Sequence, residues 1–180
     1  MPSSNQSSNA HSHEHPACLP IEELLRDCEI RRTRASGPGG QHRNKVETAI
    51  EITHRPTGVV AAAAERRSQE QNRRVAVTRL RMALAVKYRT SVCETVEPSA
   101  LWSSRCISSR IQCSDRHEHF PALIAEALNA VHAKTYDLRK AAAALGCSTT
   151  QLIRLLSRAP AALNAVNRAR TKRGLGNIHG

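Results

Sequence analysis

The sequence predicts an α+β fold: a small mixed β-sheet packed on a long helix, followed by an all-helical unit that resembles a helix-turn-helix. Three observations predict it. The approximately alternating run Thr48 to His54 leads through the turn residues Pro56-Thr57-Gly58 to a second apolar run, Val59 to Ala64, and the two read as a hairpin. Between Ser68 and Val86, Val77, Leu80 and Leu84 form one helical stripe, while Val75, Met82 and Val86 fall nearly opposite. Between Asp137 and Leu156, two short helical stripes flank Gly146.

Taken in order, residues 1–17 are polar, rich in Ser, Asn and His, and expected to be a disordered tail. Ile21, Leu24, Leu25 and Cys28 then recur at i, i+3, i+4 and i+7. They mark a short amphipathic helix with Pro20 at its start and Glu22 and Glu23 in its first turn. Glu29 to Ala35 reads as a basic strand. After the hairpin comes the long helix from about Ser68 to Val86, whose two stripes suit burial on two sides or simply a run rich in Ala and Val. Lys87 to Ser109, with Pro98, many serines and the sole Trp102, carries no clear period. Arg110 to Ser114 is expected as a last short strand.

Pro121 opens a helix bearing Ile124, Ala127, Leu128 and Val131. Leu138, Ala141, Ala142 and Leu145 form the next stripe, which Gly146 ends. Ser148-Thr149-Thr150-Gln151 has the form of a capping box for a further helix bearing Leu152, Leu155 and Leu156. Two helices across a glycine turn fit a helix-turn-helix or an ordinary helical hairpin that completes the fold. In the first reading the base-facing side chains would be Thr149, Thr150, Gln151 and Arg154. A last helix starts near Pro160. The organisation expected is therefore a tail (1–17), an α+β domain (18–115), a helical unit (116–167) and a basic flexible arm (168–180).

Composition narrows the partner. The 180 residues carry a formal net charge of +12 and are 40% apolar, with one Trp, two Tyr and one Phe. The first thirty residues are acidic. The cations concentrate from Arg31 to Arg89 and again at Arg168, Arg170, Lys172 and Arg173. Such a surface favours a polyanion by counterion release, and nucleic acid is the natural one. With so few aromatics, stacking on splayed bases is not the expected mode. Six cysteines without a CxxC pair read as reduced thiols of a cytoplasmic protein. Cys106, Cys113, His117 and His119 match no standard zinc spacing, so no metal and no cofactor is expected. No run is long and apolar enough for a membrane span, and no signal peptide is evident.

The stretch with chemistry in it is Ser36 to Thr48. Gly37, Pro38, Gly39 and Gly40 exclude helix and central strand, so this is a loop, and it presents Gln41 beside His42, Arg43, Asn44 and Lys45. It is neither standard phosphate cradle. The P-loop lysine is absent, and no acidic residue follows on a second strand at dinucleotide-fold spacing. There is no nucleophile elbow either. His42 has no neighbour in sequence to orient it as a base, and is read as a loop histidine that touches RNA or supports the loop.

These residues resemble the class I peptide chain release factors and their codon-independent ribosome-rescue relatives. The resemblance runs through Arg34-Ala35-Ser36-Gly37-Pro38-Gly39-Gly40-Gln41-His42, Asn44, Thr48-Ala49-Ile50, Thr53-His54-Arg55-Pro56-Thr57-Gly58, Glu65-Arg66-Arg67-Ser68-Gln69 and Asn72, over roughly residues 30 to 87. It implies that Gly39 and Gly40 shape a loop entering the peptidyl transferase centre. There Gln41, chiefly through its backbone N–H, would promote water attack on the ester of peptidyl-tRNA. It also implies that Arg31, Arg32, Arg34, His42, Arg43, Lys45, Arg66, Arg67, Arg73 and Arg74, with Arg168, Arg170, Lys172 and Arg173 of the arm, contact ribosomal RNA or tRNA. The Gln41 side chain would be a target for a methyltransferase. Arg43 departs from the Val or Ile usual after the histidine. Only about thirty residues precede the matched region, too few for a codon-reading domain, so the expectation is a monomeric, codon-independent peptidyl-tRNA hydrolase that acts on the ribosome. The competing expectation is a non-catalytic nucleic-acid-binding protein that uses the helix-turn-helix.

Overall fold

The computed structural model describes residues 15–33, 48–90 and 96–179. Helix α1 (Ile21–Arg26) is followed by strands β1 (Cys28–Thr33), β2 (Ala49–His54) and β3 (Val59–Ala63), then by the long helix α2 (Gln69–Lys87). Helix α3 (Ala100–Arg105) and the short strands β4 (Cys106–Ile107) and β5 (Arg110–Ile111) come next. Four helices complete the chain: α4 (Phe120–Ala133), α5 (Leu138–Ala144), α6 (Thr149–Ser157) and α7 (Pro160–Thr171). Among the described residues no helix is long and apolar enough to cross a membrane.

The fold is α+β as expected, but the sheet is not mixed. Its order is β1-β2-β3, and both pairings are antiparallel, with Thr33 opposite Ala49 and Ile50 opposite Ala63. A parallel pair needs a long crossover, usually helical, and the β2–β3 connection is only a tight turn. In that turn the N–H groups of Thr57 and Gly58 donate to His54 O at 3.3 and 2.8 Å, and Gly58 takes φ +66°. The Arg55 side chain latches the turn to α1 by donating to the carbonyls of Arg26 and Asp27 at 2.5 and 3.3 Å.

Alternation in β2 turns Ile50 and Ile52 inward, against Val77, Leu80 and Leu84 of α2, all of them buried. The opposite stripe is only partly buried: Val75, Met82 and Val86 pack at the margin of the core. Helix α2 contacts β2 and β3 as well as α4, so it is covered on two sides. Ser68 caps it by accepting from Gln71 N–H at 3.4 Å.

Three segments differ from expectation. Residues 15–17 are not a tail: Pro16–Cys18 forms a 3-10 turn, and His15 and Ala17 are buried against α2 and α4. The unreadable stretch contains α3, whose Trp102 is 1% exposed and donates its indole N–H to Leu145 O at 2.7 Å. The strand expected at residues 110–114 is only β5. It forms a separate two-stranded ribbon with β4 through Ser108 and Ser109, both at positive φ, as a two-residue primed turn requires.

Helices α4 to α7 pack around α4, whose Leu123, Ile124, Ala127, Leu128 and Val131 are buried. One apolar cluster runs from Ala17 through the sheet and α2 to Val166 and Ile178, so the residues on either side of position 115 share a core. Gly146 takes φ +66° between α5 and α6. Ser148 Oγ accepts from Gln151 N–H at 3.2 Å, but the reciprocal half of the expected capping box is missing, because Gln151 Oε1 accepts from Ile111 N–H instead. The chain after residue 168 is no loose arm. It is helical to Thr171 and then folds back, with Asn167 and the backbone of Ile178 exchanging hydrogen bonds at 3.0 and 2.8 Å.

Candidate nucleic-acid interface

Gly39, Gly40 and Gln41, together with Arg34, His42, Arg43 and Lys45, lie outside the described residues. What the structure describes is the platform from which their segment springs. Thr33 and Ala49, the last ladder pair of β1 and β2, bracket it. The same end of the sheet receives Ala63 of β3 and the first turns of α2.

Asn72 ties these ends together. Its side chain is fully buried. The Nδ2 group donates to Thr48 O at 2.6 Å and to Arg66 O at 2.9 Å, while Oδ1 accepts from Arg66 N–H at 2.9 Å. One carboxamide thus fixes the residue preceding β2, the link after β3 and the start of α2 relative to one another. A second clamp lies beside it. Arg79 forks onto both Glu65 carboxylate oxygens at 2.6 and 3.2 Å and donates to Ala62 O at 2.7 Å. The Glu65 carboxyl is held below the usual carboxylate range, first by the Ala64 N–H that it accepts and further by Arg79.

Around this platform stand the expected cations. Arg32 near the end of β1, Arg66 and Arg67 in the link, and Arg73 in the second turn of α2 are exposed, and none pairs with a carboxylate among the described residues. Arg74 is exposed but engaged with Glu70 at 3.1 Å, one turn back. Arg31 pairs with Glu29 at 2.8 Å and, by alternation, points from the sheet face opposite Arg32. Four exposed guanidinium groups without a carboxylate partner among the described residues can hold phosphates bidentately, with little desolvation cost.

Arg170 and Arg173 gather elsewhere, around Tyr136 beyond the end of α4, and Lys172 is exposed at the end of α7. Arg170 donates to Tyr136 O at 2.5 Å, and Arg173 lies over the Tyr136 ring at 4.3 Å. Arg168 is exposed on α7. The two histidines weighed as metal ligands face a cation instead: Arg105 lies 3.0 Å from His117 Nε2 and 3.1 Å from His119 Nδ1. Among the described residues no group of three or more His, Cys, Asp or Glu is gathered for a metal ion. Sequence reasoning missed Asn72 and Arg79 as positioning residues. A signal for the first was present, since Asn is a poor helix former placed just inside a long helix.

Comparison with known proteins agrees with this platform. The family described as RF-1 domain matches residues 21–121. Peptide chain release factor 1 of Caldicellulosiruptor saccharolyticus is 45% identical over 98 residues, which cover 54% of this chain and 26% of that protein. The chloroplastic peptide chain release factor PrfB1 of Arabidopsis thaliana is 53% identical over 66 residues, covering 37% of this chain and 14% of that protein. Peptide chain release factor 2 of Lactiplantibacillus plantarum is 53% identical over 58 residues, covering 32% and 15%. The chain thus spans about a quarter or less of the length of these relatives. With the matched segment reaching from α1 into the start of α4 and covering the sheet, α2 and the residues between β1 and β2, the chain belongs to the RF-1 domain family.

Proposed function

We propose that this protein hydrolyses peptidyl-tRNA on the ribosome without reading a codon, and so rescues stalled ribosomes. Residues 36–48 would enter the peptidyl transferase centre, Gly39 and Gly40 giving the backbone its freedom and Gln41 supplying an N–H toward the developing oxyanion. One such donor is worth about 3 kcal/mol, against a total of at least about 8 kcal/mol in enzymes. The remainder would come from the ribosome, which already positions the ester, and no cofactor is required. The observation that carries this reading is the Asn72 anchor. A buried carboxamide fixes the base of a glycine-rich segment, and exposed arginines stand around it.

The codon-independent form is favoured because the described residues beyond the family match are helical and rich in cations. Such surfaces grip phosphates, which carry no sequence information. In this reading residues 18–115 act as the hydrolase domain, Gln41 is a substrate for a methyltransferase, and the protein works as a monomer. Helices α5 and α6 would form the helix-turn-helix-like unit. The competing reading, a non-catalytic protein that binds DNA or structured RNA through the helix-turn-helix, is weakened as a reader of DNA bases by Gln151, whose Oε1 accepts from Ile111 N–H.

The test is peptide release from purified ribosomes stalled on a message without a stop codon. The expected result is release by the wild-type protein and background release by Gln41→Ala, which still co-sediments with ribosomes. No release by the wild type, or undiminished release by Gln41→Ala, would overturn the proposal.

A further inference from the structure

A cleft of about 650 Å³ opens between the end of α4, helix α5, the start of α6 and the turn after α7. Lys134, Arg139, Lys140 and Arg170 line it, and Asp137 is its one carboxylate. That carboxylate is already engaged: Asp137 Oδ1 accepts from the N–H groups of Arg139 and Lys140 at 3.0 and 3.1 Å as the cap of α5, and its Oδ2 lies 3.9 Å from Lys140 Nζ. Arg170 is held rigidly at the wall by Gly176 O at 2.8 Å and Tyr136 O at 2.5 Å, so its guanidinium is pre-oriented. Thr135 and Thr149 line the cleft with these cations.

We infer that this cleft is a second RNA-binding site, which takes the phosphodiester backbone of a structured RNA independently of the Gln41 loop. Four cations line the wall against one carboxylate, which caps α5 and pairs with Lys140, so the wall keeps a net positive charge that favours phosphate. Thr135 and Thr149 at the same wall carry hydroxyls of the kind that exchange hydrogen bonds with ribose 2′-hydroxyls, which DNA lacks. Specific readout of a DNA major groove would instead need several side chains projecting from α6. There Thr150 and Arg154 are exposed, while Gln151 is engaged. The site rests on the ribosome reading above only for the source of its RNA, and its test involves no peptide release, so the two fail separately.

The experiment measures fluorescence anisotropy of a labelled RNA hairpin with the full chain and with Arg139→Gln/Lys140→Gln, over a series of salt concentrations. Both positions are exposed, and their backbone N–H groups keep the Asp137 cap, so the fold is retained and is checked by circular dichroism. Expected are a loss of affinity of about tenfold or more and a fall of about two in the slope of log K against log salt. A Gln41→Ala chain should bind the hairpin like wild type. Wild-type affinity and slope in the double variant would overturn the inference, as would tighter binding to a DNA duplex of the same sequence.

Discussion

Arg81, 8% exposed on α2, donates through Nε and Nη2 to the carbonyl of Ala17 at 3.2 and 2.9 Å, and through Nη1 to Glu118 O at 2.9 Å. A buried guanidinium thus joins the 3-10 turn before α1 to the segment that enters α4. Its partners are backbone carbonyls and not a carboxylate. Removing it leaves two carbonyls short of a charged donor, each worth about 1–3 kcal/mol. Arg81→Met is expected to lower stability by about 2–4 kcal/mol in urea unfolding. Arg81→Lys should rescue little of this, since one ammonium cannot span both acceptors.

His15 makes stability fall in mild acid. It is buried, its Nδ1 accepts from Ala17 N–H at 3.0 Å and its Nε2 lies 3.2 Å from Tyr88 O; burial pulls its pKa down to about 4. Below its ordinary value near 6.5 the unfolded chain takes up a proton that the folded chain refuses until about pH 4. Stability is therefore full above pH 6.5 and declines as pH falls toward 4, by on the order of 3 kcal/mol across the window. Buried His54 is shifted in the same direction by the same cause. Thermal melts at pH 7.5 and 4.5 should show the decline, and His15→Gln should flatten most of it.

Asn72 offers a test of the platform separate from the loop. Asn72→Ala removes two donated bonds and one accepted bond and leaves Thr48 O without this partner. The expected cost is about 2–4 kcal/mol. Peptide release should fall at a temperature where circular dichroism still reports a folded chain. Release at the wild-type rate would show that the base of the segment needs no such anchor.

Gly146 isolates backbone conformation from packing. It sits at φ +66° with nothing within 4 Å of where a Cβ would stand. Gly146→Ala should cost about 1–2 kcal/mol from backbone strain alone, read as a shift of the urea midpoint with an unchanged slope.

Much of the fold was legible because local chemistry and tertiary packing agree. The β2–β3 hairpin, the start of the long helix near Ser68, the Gly146 turn and the helix near Pro121 all stand where the residues placed them. The sequence could not show contacts made at long range. Helix α3 is six residues long and depends on Trp102 reaching Leu145, 43 positions away. The fold-back of residues 172–179 depends on side chains of α7 meeting it: Asn167 at the backbone of Ile178, Arg170 at Gly176 O and Thr171 at Asn177. A basic composition alone reads as a free arm. The interface was legible in its residue types, since the arginines at 32, 66, 67 and 73 are exposed beside the loop base. Its scaffold was less so, because Asn72 and Arg79 reach backbone groups at Thr48 and Ala62, 24 and 17 positions away, contacts that helical periodicity does not reveal.

Strand β1 is the outermost strand of its sheet, and Glu29 to Thr33 along it are exposed. An open β-edge is a template onto which a neighbouring molecule can add a strand, the route by which soluble proteins polymerise. Here the edge bristles with Glu29, Arg31 and Arg32, whose charges a docking strand would have to strip of water. Arg32 and, on the opposite face, Arg31 therefore both oppose the addition of a strand at this edge. A variant that exchanged both for apolar residues to weaken RNA contact would trade solubility for insolubility, and its lost activity would need separating from precipitation.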